Sequence, residues 1–205
     1  MVGGAQRSLK GEDCFMTRQS DVGGDSVSFI LVADGHGGKQ VSSYVRSRLL
    51  ERICDKAVDG SSDALHVAVS TAFLEVHAEV CDPHFDTGES HAGSTLTVCS
   101  INTTRNEINA WNVGDSLALL VLDDGYIELG HTHRLEESPD EQARVVSKGA
   151  TLGKAVGPDG RPGGPIRAFP GGLAVTRGIG DADCRAFVLP EPSWVTRQVI
   201  ASDCH

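Results

Sequence analysis

The chain has 205 residues, 40% hydrophobic and 22% charged, enough for one globular core in a single domain spanning 1–205. Its 28 acidic residues outnumber 18 basic ones for a net charge of −10, which excludes neutralising a nucleic-acid backbone or docking on anionic lipid. Six cysteines (Cys14, Cys54, Cys81, Cys99, Cys184 and Cys204) form no Cys-x-x-Cys pair and read as free thiols. With no apolar leader and no run of membrane length, the cytosol or nucleus is the expected compartment.

In chain order, a short strand at Cys14–Thr17 and a polar loop at 19–26 precede Val27–Ala33. That run of β-branched, aromatic and small residues fits a strand buried on both faces, paired antiparallel with its predecessor. It ends in Asp34-Gly35-His36-Gly37-Gly38, a carboxylate at a strand tip followed by backbone of little bulk, which suits cation binding. Apolar residues at helical spacing predict helices over 39–58 and from a Ser62 cap to about Cys81. His77, His84 and His91 match no compact ligand motif and read as solvated loop histidines.

From Gly93 onward the pattern is of short strands, at 95–101, 108–113, 117–122 and 126–129, an antiparallel meander. Ser138-Pro139-Asp140-Glu141 is a capping box that opens a helix reaching about Lys148. Residues 149–172, rich in glycine and proline, read as a long, poorly ordered excursion of the functional or mobile kind. Strands at 172–176 and 199–203 complete the pattern.

Glu12, Asp13, Asp34, Asp115, Asp181 and Asp203 each fall at the end or start of one of these strands, four of them next to a glycine. Carboxylates gathered at one edge of a sheet repel one another unless hard divalent cations lie between them. Oxygen-only ligands select Mg²⁺ or Mn²⁺ over Zn²⁺. Two such ions would activate a water for attack on phosphorus.

The segments Gly11-Glu12-Asp13, Ala33–Gly38, Gly93-Ser94-Thr95, Asn112–Ser116, His133-Arg134-Leu135, Leu173–Asp181, Pro190-Glu191-Pro192 and Ala201-Ser202-Asp203 together resemble the metal-dependent serine/threonine protein phosphatases of type 2C. The resemblance implies an α+β fold, a four-layer αββα sandwich of two antiparallel β-sheets flanked by helices. It also implies hydrolysis of phosphoserine and phosphothreonine in protein substrates by direct water attack with Mg²⁺ or Mn²⁺, in a monomer.

Carried onto this chain, it makes Asp34 the bridge between two ions, with Glu12 and the Gly35 carbonyl completing one and Asp203 binding the other. Asp13 would act through water, Asp115 with Asp203 would hold a weaker third ion, and Asp181 would stand behind the ligands. His36 would donate a proton to the leaving oxygen. Residues 149–172 would be a flap-like loop beside the cleft. Ser8 stands where the family places a phosphate-gripping arginine, leaving Arg7 or Lys10 for that task. The stretch between Pro190 and Asp203 is short for the family's hairpin, and the family's later strands and last aspartate ligand are not within the 205 residues. These departures leave a catalytically impaired pseudophosphatase that binds phosphoproteins as the competing expectation.

Overall fold

A computed structural model describes residues 10–85, 92–157 and 160–199. β1 (Cys14–Val22) and β2 (Asp25–Ala33) form one hairpin, closed by Gly23 and Gly24 at φ of 62° and 90°. The predicted polar loop at 19–26 is therefore mostly strand. Two successive positive φ values match the twist of a two-residue hairpin turn, and glycine adopts them without a Cβ penalty.

α1 (Gln40–Lys56) and α2 (Ser62–Val80) follow as predicted, but the cap of α2 is Ser61, whose hydroxyl accepts from the Ala64 N–H. β5 (Leu96–Asn102) and β6 (Glu107–Val113) pair next to β2, and β12 (Ser193–Gln198) closes the far edge. The sheet order is β1-β2-β5-β6-β12, all antiparallel. β12 was not predicted, and the strand expected at 199–203 lies almost wholly outside the described residues.

α1 and α2 pack on one face of this sheet. Val27, Phe29 and Leu31 of β2 meet Leu49, Ile53, Phe73 and Val76 of the helices, with Trp111 of β6 closing the cluster. Apolar residues at helical spacing and alternate strand positions thus converge on one core. The expectation that β2 is buried on both faces fails. Its burial alternates, and Val32 faces Phe15 across the β1–β2 ladder with 44% and 42% of their surfaces exposed.

The remaining strands form three smaller antiparallel sheets. Among the described residues β7 (Leu119–Leu122) pairs only with β8 (Gly125–Glu128), so the predicted meander breaks after β6. β9 (Thr151–Val156) and β10 (Pro162–Phe169) make a hairpin where a poorly ordered excursion was expected. Residues 172–176 form isolated bridges in place of a strand.

β3 (Gly35–His36), β4 (Gly93–Ser94) and β11 (Ile179–Gly180) make a three-stranded patch with β4 in the middle. α3 (Pro139–Ser147) is present without its capping box: the Ser138 hydroxyl donates to the Thr132 carbonyl, and Glu141 turns to other partners. A second cluster, Leu135, Val145, Ala168, Cys184, Phe187 and Val188, joins α3 to the β9–β10 hairpin. The chain is thus α+β, antiparallel sheets with helices. Among the described residues Cys14, Cys54, Cys81, Cys99 and Cys184 are free thiols.

Candidate active site

β2 delivers Asp34 at its end, and the Gly93-Ser94-Thr95 segment fixes it there. The Asp34 N–H donates to Thr95 Oγ1 at 3.2 Å, and the Thr95 N–H and Ser94 hydroxyl donate to the Asp34 carbonyl at 2.9 and 3.2 Å. Gly35 is needed for close approach: a Cβ there would fall on the carbonyl oxygen of Glu12, which also accepts from the Ser42 hydroxyl. That packing brings Glu12 and Asp13 over the start of β3. The Asp13 and Asp34 carboxyls hydrogen-bond to each other, and Asp115 adds its negative charge from the end of β6. Desolvation, the Asp13 contact and then the Asp115 charge hold the Asp34 carboxyl above the usual carboxylate range.

His36 meets Asp181 in the three-stranded patch. His36 and Gly180 both lie opposite Gly93, so the residue after Gly180 reaches the imidazole, and His36 Nε2 lies 2.7 Å from Asp181 Oδ1. A Cβ on Gly93 would fall on the Asp181 carboxylate and reach to within 2.5 Å of His36 Nε2, so only glycine leaves room for the pair. Asp181 is buried, sits at φ 53° in the left-handed region, and its Oδ2 has no hydrogen-bond partner among the described residues. Desolvation pulls the His36 pKa down, but the Asp181 hydrogen bond and charge, with Asp34 and Glu12 behind them, outweigh it and raise the pKa above the ordinary histidine value.

These side chains open on a cavity of about 440 Å³ lined by Asp34, His36, Thr95, Asp115, Arg167 and Asp181, with Gly171–Val175 along one wall. The donor chemistry fits a hard divalent cation, because the Asp34 carboxyl is crowded by the Asp13 and Asp115 carboxyls, a repulsion that such a cation would relieve. The fit is to part of the expected ligand set. Among the described residues no three acidic, histidine or cysteine side chains form a ready cage. Glu12 Oε1 accepts from the Gly38 N–H at 2.8 Å, and Asp115 Oδ2 pairs with Arg134 Nη1 at 3.0 Å.

Of the predicted site residues, the structure thus gathers Asp13, Asp34, Gly35, His36, Asp115 and Asp181, with Glu12 at the margin. Lys10 is exposed and does not line the cavity, while Arg7 and Asp203 lie outside the described residues. His77 is corrected. It lies within α2, half-buried, and its Nδ1 accepts from the Gly180 N–H at 3.3 Å, with desolvation lowering its pKa. His84 is exposed as expected and His91 lies outside the described residues.

Arg134, Arg167 and the ion-pair hub at Glu141 were missed. Glu141 joins Arg144, Arg177 and Thr176, and desolvation, which would raise its pKa, is outweighed by these partners, which bring it to about 2. A carboxylate at the third position of a helix gave no sign that, besides Arg144 one turn on, its partners would be Thr176 and Arg177.

The family model described as Protein phosphatase 2C matches residues 4–205. The chain is 32% identical over 201 residues to "Probable protein phosphatase 2C 5" of Arabidopsis thaliana, covering 93% of this chain and 45% of that protein. It is 30% identical over 196 residues to "Probable protein phosphatase 2C 40" of Oryza sativa subsp. japonica, covering 93% and 42%. The chain therefore spans about half the length of the curated relatives it matches. Among solved structures, a C. elegans sex-determining protein superposes with a TM-score of 0.77 at 23% identity, covering 98% of this chain and 48% of that one. A serine-threonine phosphatase 2C from Toxoplasma gondii gives 0.69 at 16%, covering 92% and 74%, and at these identities the likeness is one of fold. The chain belongs to the protein phosphatase 2C family.

Proposed function

We propose that this chain is the metal-dependent catalytic part of a phosphatase acting on phosphoserine and phosphothreonine in proteins, as a monomer in the cytosol or nucleus. The observation that supports this reading most directly is that Asp34, with Asp13 beside it, opens on the same cavity as Asp115 and the His36–Asp181 pair. Mg²⁺ or Mn²⁺ bound at the acids would neutralise phosphoryl charge and acidify a water. Asp13 and Asp34 hold that position, with Glu12 and the Gly35 carbonyl beside them. Thr95, through its hydroxyl and its N–H, keeps Asp34 aimed into the cavity.

His36 has the remaining task. A serine or threonine alkoxide is a poor leaving group, and an imidazolium whose pKa is raised by Asp181 keeps its proton available for the departing oxygen near neutral pH. Asp181 orients the ring and does not itself exchange the proton, in the manner of other buried aspartate–histidine pairs.

Hydrolysis of a phosphothreonine peptide with Mn²⁺, wild type beside Asp34→Asn, tests the reading. Turnover in the wild type that falls at least a hundredfold in the variant is the expected result. A wild type that binds Mn²⁺ and phosphopeptide but releases no phosphate would overturn it in favour of a regulatory pseudophosphatase.

A further inference from the structure

The cavity beside Asp34 presents a phosphoryl dianion with an electrostatic difficulty. Asp34, Asp115, Asp181 and Asp183 all line it, and like charges at such spacing repel. Arg167 is the one lysine or arginine among its described lining residues. It comes from β10, opposite Gly153 of β9, so the β9–β10 hairpin carries it to the cavity. Its Nη1 donates to the Gly172 carbonyl at 2.6 Å, which ties the guanidinium to the wall formed by Gly171–Val175.

Three arginines of the same half of the chain are already committed. Arg134 pairs with Asp115, and Arg144 and Arg177 share Glu141, whereas Arg167 pairs with no carboxylate among the described residues. Anchoring through Nη1 leaves Nε and Nη2, the edge of the fork that makes two parallel hydrogen bonds to an oxyanion. The half-buried, anchored side chain also loses less freedom on binding than a mobile surface arginine.

We propose that Arg167 is the residue that grips the phosphoryl group of the substrate. This rests on the phosphatase reading and replaces Arg7 and Lys10 in that role. The hairpin at 151–169 thereby becomes part of the binding site.

Calorimetric titration of the full chain with inorganic phosphate in the presence of Mn²⁺ tests the proposal, with wild type, Arg167→Lys and Arg167→Met compared. Mn²⁺ binding and thermal melting are measured alongside. The expected result is phosphate affinity weakened about tenfold or more in Arg167→Met and less in Arg167→Lys, with Mn²⁺ binding and melting unchanged. With a phosphothreonine peptide, KM rises in the same order. Wild-type phosphate affinity in Arg167→Met, or a wild type that binds no phosphate, overturns the proposal. So does a joint loss of phosphate and Mn²⁺ binding that lysine does not restore. Phosphate binding that depends on Arg167 in a wild type that hydrolyses no peptide supports the proposal and overturns only the phosphatase reading.

Discussion

At the scale of single residues, the site depends on contacts that leave no space for a side chain and on charges that need one another. Gly93→Ala should drive its methyl group into the His36–Asp181 pair and cost about 1–3 kcal/mol in thermal unfolding, with loss of turnover. An unchanged melting curve would contradict the packing described. Glu141 gives a pH dependence of definite sign. Its pKa falls from 4.5 to about 2 on folding, so the stability it contributes is present above about pH 4.5 and is lost as pH drops towards 2. That contribution is on the order of 3 kcal/mol. Urea midpoints measured between pH 5 and pH 2 should slope steeply in wild type and more gently in Glu141→Gln. Residues such as Asp34 and Gly35 were legible because a strand-tip acid followed by glycines is a local pattern. The His36–Asp181 contact joins residues 145 positions apart through a third strand, and nothing within either segment specifies it. Arg167 likewise sat in a stretch whose glycines and prolines concealed a hairpin.

At the scale of elements, local rules worked where one element decides its own boundaries. Both long helices followed from the spacing of Val41, Val45, Leu49 and Ile53, and of Leu65, Val69, Ala72, Phe73 and Val76. The N-cap slipped by one residue because Ser61 and Ser62 are equally able acceptors, and only the extended backbone at Ser61 (φ −66°, ψ 150°) selects it. Ser61→Ala should therefore cost about 1 kcal/mol in urea unfolding, whereas Ser62→Ala gives up a hydroxyl contact to Glu107 and should cost less. A reversed order would return the cap to Ser62. Strands were harder to place, since their partners are distant in sequence. β12 follows two prolines and is ordered by pairing with β6, where Trp194 lies opposite Trp111 and stacks on His66 at 4.2 Å.

At the scale of the whole molecule, the five-stranded sheet and its two helices form one core, while among the described residues the β1–β2 end of the sheet's other face and the β7–β8 hairpin stay exposed. Phe15 and Val32 on the sheet, with Leu119, Val121 and Tyr126 on the hairpin, leave large apolar surfaces in water. A hydrophobic dye should bind the wild type and bind less when Phe15→Ser and Val121→Thr are combined. Equal dye binding would show these faces to be covered. The central claim is that sequence-distant acids meet to hold divalent ions, and calorimetric titration of Mn²⁺ into wild type and Asp34→Asn examines it most directly. Saturable binding in the wild type that is lost or weakened at least tenfold in the variant is the expected result. Equal Mn²⁺ affinity in the two proteins would contradict it.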